Sequence, residues 1–136
     1  MERQPIDVLT ALEGQWRLSR EVRHAGGAVL RAEGRAVLAP DGAGLVEAES
    51  GRMAAADGGT AFAQRRLWRV EDGRLVLRKG DGTPLCALTD GEGVHDCPPD
   101  TYRIRLDLSG LPGAWSAEWR VAGPRKDYVM TTRYVR

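Results

Sequence analysis

The side chains able to do chemistry crowd into the last third of the chain, from His95 to Arg136, which holds two of the four tryptophans, one of the two histidines and one of the two lysines. Its first block, His95-Asp96-Cys97-Pro98-Pro99-Asp100-Thr101-Tyr102, sets an imidazole, a thiol and two carboxylates in close succession. That set suggests a metal or a Cys-His nucleophile. On a strand, however, successive side chains point to opposite faces. Asp96 therefore points away from His95 and Cys97, and Pro98-Pro99 breaks the strand directly afterwards. A tetrahedral metal site needs converging ligands, so the spacing argues against a metal; no cofactor is expected. His95 remains suited to a pocket hydrogen bond or to general-base work near neutral pH.

The second block, Gly123-Pro124-Arg125-Lys126-Asp127-Tyr128, reads as a tight hairpin in which Pro124 presets one turn dihedral. It precedes no helix, so it is not a phosphate-cradling loop. Arg125, Lys126 and Tyr128 then form a charged rim able to meet an anion or a partner, unless Asp127 neutralises the turn through salt bridges.

Two arginines are placed inward by alternation. Arg20 shares a face with Trp16, Leu18, Val22 and His24, and Arg66 shares one with Phe62, Gln64, Trp68 and Val70. An inward guanidinium has two uses. It can anchor the carboxylate or phosphate of an otherwise apolar ligand through bidentate, charge-assisted hydrogen bonds, or it can pair with an inward carboxylate such as Glu47 or Glu49. The same rule turns Tyr102, Ile104, Leu106 and Leu108 to one face, and Trp115, Ala117, Trp119 and Val121 to another. The expected ligand-binding set is Arg20, Arg66, His95, Tyr102 and Trp119.

The elements that must position these residues are legible from periodicity and turns. Pro5 to Leu12 has helical spacing of Ile6, Leu9 and Leu12 and ends at Gly14, which predicts a short helix acting as a lid or plug. After Trp16 the pattern becomes period two, punctuated by Gly26-Gly27 and by Asp-Gly at Asp41, Asp57, Asp72, Asp81 and Asp90. Asp-Gly between alternating segments is a strong hairpin signal. Strands are predicted over 14–24, 28–39, 44–53, 60–70, 73–79, 84–90, 93–97, 101–109, 114–122 and 127–136. An open sheet of that many short strands would leave two sticky edges, and closure into a barrel removes them. A turn at Gly91-Glu92 would pair Leu88 with His95 and Cys86 with Cys97, making the two cysteines neighbours. The alternative architecture is a two-sheet sandwich.

The 136 residues suit one domain, 1–136, with a core of its own. Twenty basic residues against nineteen acidic ones leave a net charge of +1, which gives no broad footprint for nucleic acid or an anionic membrane. No window approaches the ~20 apolar residues of a membrane span and no leader pattern precedes residue 12, so the expected setting is the cytoplasm. Two cysteines are too few for a disulfide scaffold. A homodimer through the barrel wall or an exposed edge stays open.

Three blocks, Leu12-Glu13-Gly14-Gln15-Trp16, His95 to Tyr102 and Gly123 to Tyr128, resemble a family of small bacterial proteins of unknown function, related in shape to the lipocalin-like (calycin) barrels. The resemblance covers nearly the whole chain. It implies an all-β, antiparallel meander closed into a barrel of about ten strands with a short N-terminal helix, and no established activity. Gly14-Gln15-Trp16 is similar to the G-x-W signature of lipocalin-like barrels, in which an arginine from the last strand lies across the tryptophan; Arg133 or Arg136 is placed for that role. The functional expectation is a binding protein for a small, mostly apolar molecule with an acidic group. No step requires catalysis. The alternatives are a small barrel isomerase, cyclase or hydrolase using His95 or Cys97, haem ligation by His24 or His95, and a filled barrel whose rim meets a protein.

Overall fold

A computed structural model describes residues 3–54 and 58–136. The Asp57 turn lies outside the described residues. The chain runs α1 (Pro5–Leu12), β1 (Gly14–His24), β2 (Val29–Pro40), β3 (Leu45–Met53), β4 (Thr60–Glu71), β5 (Arg74–Lys79), β6 (Pro84–Leu88), β7 (Glu92–Cys97), β8 (Asp100–Asp107), β9 (Ala114–Ala122) and β10 (Asp127–Val135). All the strand pairs are antiparallel, in the order β6-β5-β4-β3-β2-β1-β10-β9-β8-β7. The first strand pairs with the last, so the meander curls into a nearly closed, lipocalin-like barrel. No helix among the described residues is long and apolar enough to cross a membrane.

Local chemistry sets the turns. Asp72-Gly73 and Asp90-Gly91 both adopt positive φ at both residues, 51° and 72° in the first and 52° and 78° in the second. That is the type I′ geometry whose twist matches the flanking strands. The second turn corrects the expected register. The hairpin turns at Asp90-Gly91, not Gly91-Glu92, and the bridge is Thr89 with Glu92. Beyond that bridge β6 and β7 form no further ladder among the described residues. Cys86 is buried and Cys97 exposed, so the expected cysteine pair does not form.

Curvature needs a close backbone approach at Gly34 and Gly51, which face each other across β2 and β3. A Cβ on Gly34 would sit 2.1 Å from the Ser50 carbonyl oxygen, and one on Gly51 2.2 Å from that of Glu33. Only glycine fits such a bend.

The lower end of the barrel is filled. Val8, Leu9 and Leu12 of α1 seat against Trp16, Leu38, Trp68 and Leu77, so the helix is the plug that its periodicity implies. Trp16 donates its indole N–H to the Leu12 carbonyl at 2.9 Å. Arg136, rather than Arg133, lies over the Trp16 ring at 3.9 Å and donates to the carbonyls of Ala11, Glu13 and Pro112. Gly14 makes this possible, since a Cβ there would stand 2.5 Å from the guanidinium. Above the plug, Trp115 stacks on Tyr134 at 3.8 Å and meets Trp16 and Trp68 edge-on at 6.2 and 5.7 Å.

Leu12→Ala empties a fully buried position between plug and aromatic layer. It should cost about 3 kcal/mol, read as a lower denaturant midpoint with an unchanged slope.

Candidate functional site

The middle of the barrel is polar. From β3, Glu47 and Glu49 point inward at 0% and 3% exposure, and they meet Arg20 of β1, Arg66 of β4 and Thr132 and Tyr134 of β10. Period-two alternation delivers each of these groups, because each strand sends every second residue inside. Glu49 is saturated. It accepts from Arg20 Nη2 at 2.7 Å, from Gln64 Nε2 at 2.6 Å and from the Tyr134 hydroxyl. Arg20 also donates through Nε to the Thr132 hydroxyl at 2.7 Å.

Glu47 is treated differently. Its Oε1 accepts the Trp68 indole N–H at 2.8 Å, while its Oε2 meets no donor among the described residues and, carrying a proton, can itself donate toward Glu49. Burial pushes the Glu47 carboxyl up to about 8, against the attraction of Arg66, and the hydrogen bond with Glu49 pushes it the same way. Burial raises Glu49 too, but the Glu47 hydrogen bond and the charges of Arg20 and Arg66 outweigh it and hold Glu49 down at about 2. At neutral pH the pair is one carboxylic acid and one carboxylate, the usual outcome when two buried carboxyls adjoin. The interior then carries two guanidiniums against one carboxylate.

The second guanidinium, Arg66, is 8% exposed and lies 5.4 Å over the Trp119 ring. Among the described residues it makes no ion pair and donates no side-chain hydrogen bond. It lines a cavity of about 260 Å³ at the open end of the barrel, whose walls include Leu85, Tyr102, Trp119, Val121, Tyr128 and Met130. The arrangement offers a cation with spare donors at the floor, largely apolar walls, two phenols, and Gln64, Arg65 and Lys79 at its polar side.

Of the residues singled out in the sequence, Arg66, Tyr102, Trp119 and Tyr128 converge on this cavity. Arg20 stands in the layer beneath, engaged by Glu49 and Thr132. His95 is half-buried on β7, with its ring 5.9 Å from that of Tyr102, outside the cavity wall. Lys126 donates to the Tyr102 hydroxyl at 2.9 Å and pairs with Asp100 at 3.5 Å. The expected turn carboxylate, Asp127, forms no ion pair among the described residues, because Asp100 on the neighbouring strand reaches Lys126 instead. Arg125 is exposed. His24, expected inside with Arg20, is exposed at the strand end against Tyr128, 5.6 Å between rings; Val70, expected inside, is 38% exposed at the lower end of β4. Gln64, already placed inward with Arg66, joins the polar layer, whereas Thr132 and Tyr134 carry it without having been assigned to it from the sequence. Their inward parity was the available signal.

A second, wider hollow of about 650 Å³ lies at the lower end between α1 and the ends of β5, β6 and β8, walled by Val8, Leu75, Leu88 and Leu106 and edged by Arg3 and Arg74. Arg74 donates to the Thr89 hydroxyl and Arg3 to the Leu111 carbonyl, so both cations are engaged. No group of three or more His, Cys, Asp or Glu side chains is placed to hold a metal among the described residues.

Fold and interior together define a small, nearly closed antiparallel barrel with a plugged base, a charged middle and a cavity at its mouth. Residues 12–136 match the model of a family of unknown function, DUF6314, and the chain belongs to that family. No curated protein matches it in sequence. Among solved structures it is similar to a de novo designed fluorescence-activating β-barrel, with 13% identity, a TM-score of 0.55 and coverage of 96% of this chain and 98% of the other. It is also similar to the S-type phycobiliprotein lyase CPES from Guillardia theta, with 10% identity, a TM-score of 0.56 and coverage of 99% and 93%. At such identities the likeness is one of fold.

The carboxyl pair sets a pH profile of stability. Glu47 is raised by folding from about 4.5 to about 8, so between those values the unfolded chain has released a proton that the folded one keeps, and stability falls as pH rises. Glu49 is lowered to about 2, so its contribution is complete above about pH 4.5 and is lost as pH falls through about 2. Thermal midpoints should therefore decline from pH 5 to pH 9 in the wild type. In Glu47→Gln most of that decline should vanish while the acid-side loss stays; an equally steep decline in the variant would refute the assignment of the proton.

Proposed function

We propose that the chain works as one lipocalin-like barrel domain that binds a small, mostly apolar molecule carrying an acidic group, with the acid on Arg66. One observation carries this reading: a nearly buried guanidinium that makes no hydrogen bond among the described residues forms the wall of a cavity that combines aromatic and aliphatic side chains with two further cations, Arg65 and Lys79, and the Gln64 amide. An interior guanidinium left unpaired is costly, and an anionic ligand supplies the missing acceptors in bidentate form. Tyr102 and Tyr128 can add hydroxyl hydrogen bonds, and Trp119, Val121 and Met130 cover the apolar part. A volume of about 260 Å³ takes the acid and a short apolar segment, leaving the remainder of a longer molecule to emerge past the rim of Lys126 and Arg125.

Arg20 has a supporting role in this reading. Its contacts with Glu49 and Thr132 hold the polar layer on which the cavity rests. The two barrels of similar fold are, by their titles, a fluorescence-activating design and a phycobiliprotein lyase, which agrees with a scaffold that accommodates small molecules. All the groups invoked come from one chain, and two unbridged cysteines suit the cytoplasmic setting we propose.

Native mass spectrometry of protein purified from its own host, followed by denaturation, should release a stoichiometric small acid. Arg66→Ala should lose it, with affinity down tenfold or more, the worth of a charged hydrogen bond (~1.5–3 kcal/mol). Arg20→Ala should instead lower the thermal midpoint, since Glu49 would be left without its buried cation. An acid retained at full occupancy by Arg66→Ala would refute the reading.

A further inference from the structure

Arg66 and Glu47 are directly opposite each other across β4 and β3, both on inward positions. Side chains so placed have Cβ atoms about 5 Å apart, well within reach of an ion pair for an arginine. The pair is not made. Arg66 turns instead toward the mouth over Trp119, and Glu47 turns toward Trp68. Arg66 leaves its donors unused, and Glu47 Oε2 meets no donor among the described residues. Charge counting explains the separation. With Glu47 protonated, the interior holds Arg20, Glu49 and Arg66, one cation more than it can pair internally. With Glu47 ionised, the nearest countercharge for Arg66 is Glu47 itself.

We propose that Glu47 is the proton-operated gate of the Arg66 site: an anionic ligand binds Arg66 only while Glu47 holds a proton, and loss of that proton draws Arg66 inward onto Glu47 and expels the ligand. The proposal rests on the reading of Arg66 as the anion anchor and adds its regulation. Binding to the deprotonated protein then takes up one proton from solvent, which lands on Glu47. The arginine is a long, flexible side chain whose two positions, over Trp119 or against Glu47, need no backbone movement.

The charged and titratable groups near Glu47 and Arg66 come from several strands, and Arg65 of β4 and Lys79 of β5, the residue opposite Arg66, line the same cavity. Glu49 of its own strand is held ionised by its partners and burial outweighed. Arg20 of β1 is committed to Glu49 and Thr132. On β10, burial and the two carboxyls hold the Tyr134 phenol well above its ordinary value. On β6, burial pushes the Cys86 thiol up to about 11. Tyr128 at the mouth is raised by burial, and Lys126 is raised by the Tyr102 hydroxyl that accepts its hydrogen bond. His24 and His95 stand at the mouth beside Tyr128 and Tyr102, and the variants below separate them from Glu47.

The test uses a permanently charged probe, the amphipathic sulfonate 8-anilinonaphthalene-1-sulfonate, titrated by fluorescence between pH 6 and pH 10. Wild-type affinity should be flat at the acid end and fall by about tenfold per pH unit above about pH 8. Glu47→Gln, which mimics the protonated acid, should bind as the wild type does at pH 6 and stay within threefold across the range. Calorimetry of the wild type at pH 9, in buffers of different ionisation heat, should show uptake of close to one proton per probe and needs no variant. Arg66→Ala distinguishes the two levels of the argument. If it leaves probe affinity unchanged at pH 6, the anion site itself is refuted. If affinity depends on Arg66 but the wild type is flat above pH 8, takes up no proton, or keeps its pH slope in Glu47→Gln, the anion site stands and the gate is refuted.

Discussion

Two carboxyl groups buried between two guanidiniums set the terms for everything else in this barrel. Removing four ionisable groups from water is expensive, and a buried pair returns that cost only when geometry and hydrogen bonding are nearly complete. For Arg20 and Glu49 they are: the carboxylate meets three donors and the guanidinium meets both a carboxylate and a hydroxyl. For Glu47 and Arg66 they are not, and the molecule avoids the cost in two other ways. It keeps the Glu47 proton, and it turns Arg66 toward the cavity at the mouth. The asymmetry between two chemically identical pairs decides where the molecule is rigid and where it is open to a partner.

The layer below makes that asymmetry affordable. Trp115 stacked on Tyr134, with Trp16 and Trp68 edge-on around it, gives a dry and closely packed floor. Two of these aromatics reach upward with their polar ends: the Tyr134 hydroxyl to Glu49 and the Trp68 indole N–H to Glu47. The helix plug and Arg136 over Trp16 close the base against water. Without that closure the carboxyls would be solvated from beneath, and neither the raised Glu47 nor the fixed Glu49 would follow.

The fold was legible because its signals are local. The Asp-Gly turns, the change from helical to period-two spacing after Trp16 and the inward parity of Trp115, Ala117 and Trp119 each need only a few neighbouring residues. Parity also placed Arg20 and Arg66 inside and offered Glu47 and Glu49 as pairing partners, beside an anionic ligand, as the two uses of an inward guanidinium; among the described residues only Arg20 takes such a carboxylate. What parity cannot say is which arginine takes which carboxyl, since Arg20 and Glu49 lie on strands separated by β2 and meet across the lumen. The same limit hid Thr132 and Tyr134, which reach the layer only once β10 pairs with β1. At β6 and β7 a local ambiguity mattered: Asp90-Gly91 and Gly91-Glu92 both offer a turn, and the first wins because Asp tolerates the left-handed backbone that the type I′ turn needs at its first residue. Shifting the turn by that much moved Cys86 and Cys97 out of register and left the seam unladdered. At the strand ends parity loses meaning, as His24 and Val70 illustrate, because an inward position beyond the packed layers faces water.

A barrel of this size is ordinarily either filled or hollow, and this one is both along its axis. Aromatic residues and α1 occupy the lower half, so the polar layer forms a false floor and the space above it is short, wide-mouthed and charged at its base. Depth and charge are thus one property. Had the second carboxyl been ionised and paired with Arg66, the floor would be neutral and the guanidinium withdrawn, and the cavity would lose the one cation at its base, keeping only Arg65 and Lys79 among its cations. Likeness of fold to a designed barrel and to a lyase at 10–13% identity speaks to the wall and not to this floor. In the binding reading proposed above, the selectivity of the mouth therefore depends on the protonation of a residue outside the cavity lining, one strand away from the arginine within it.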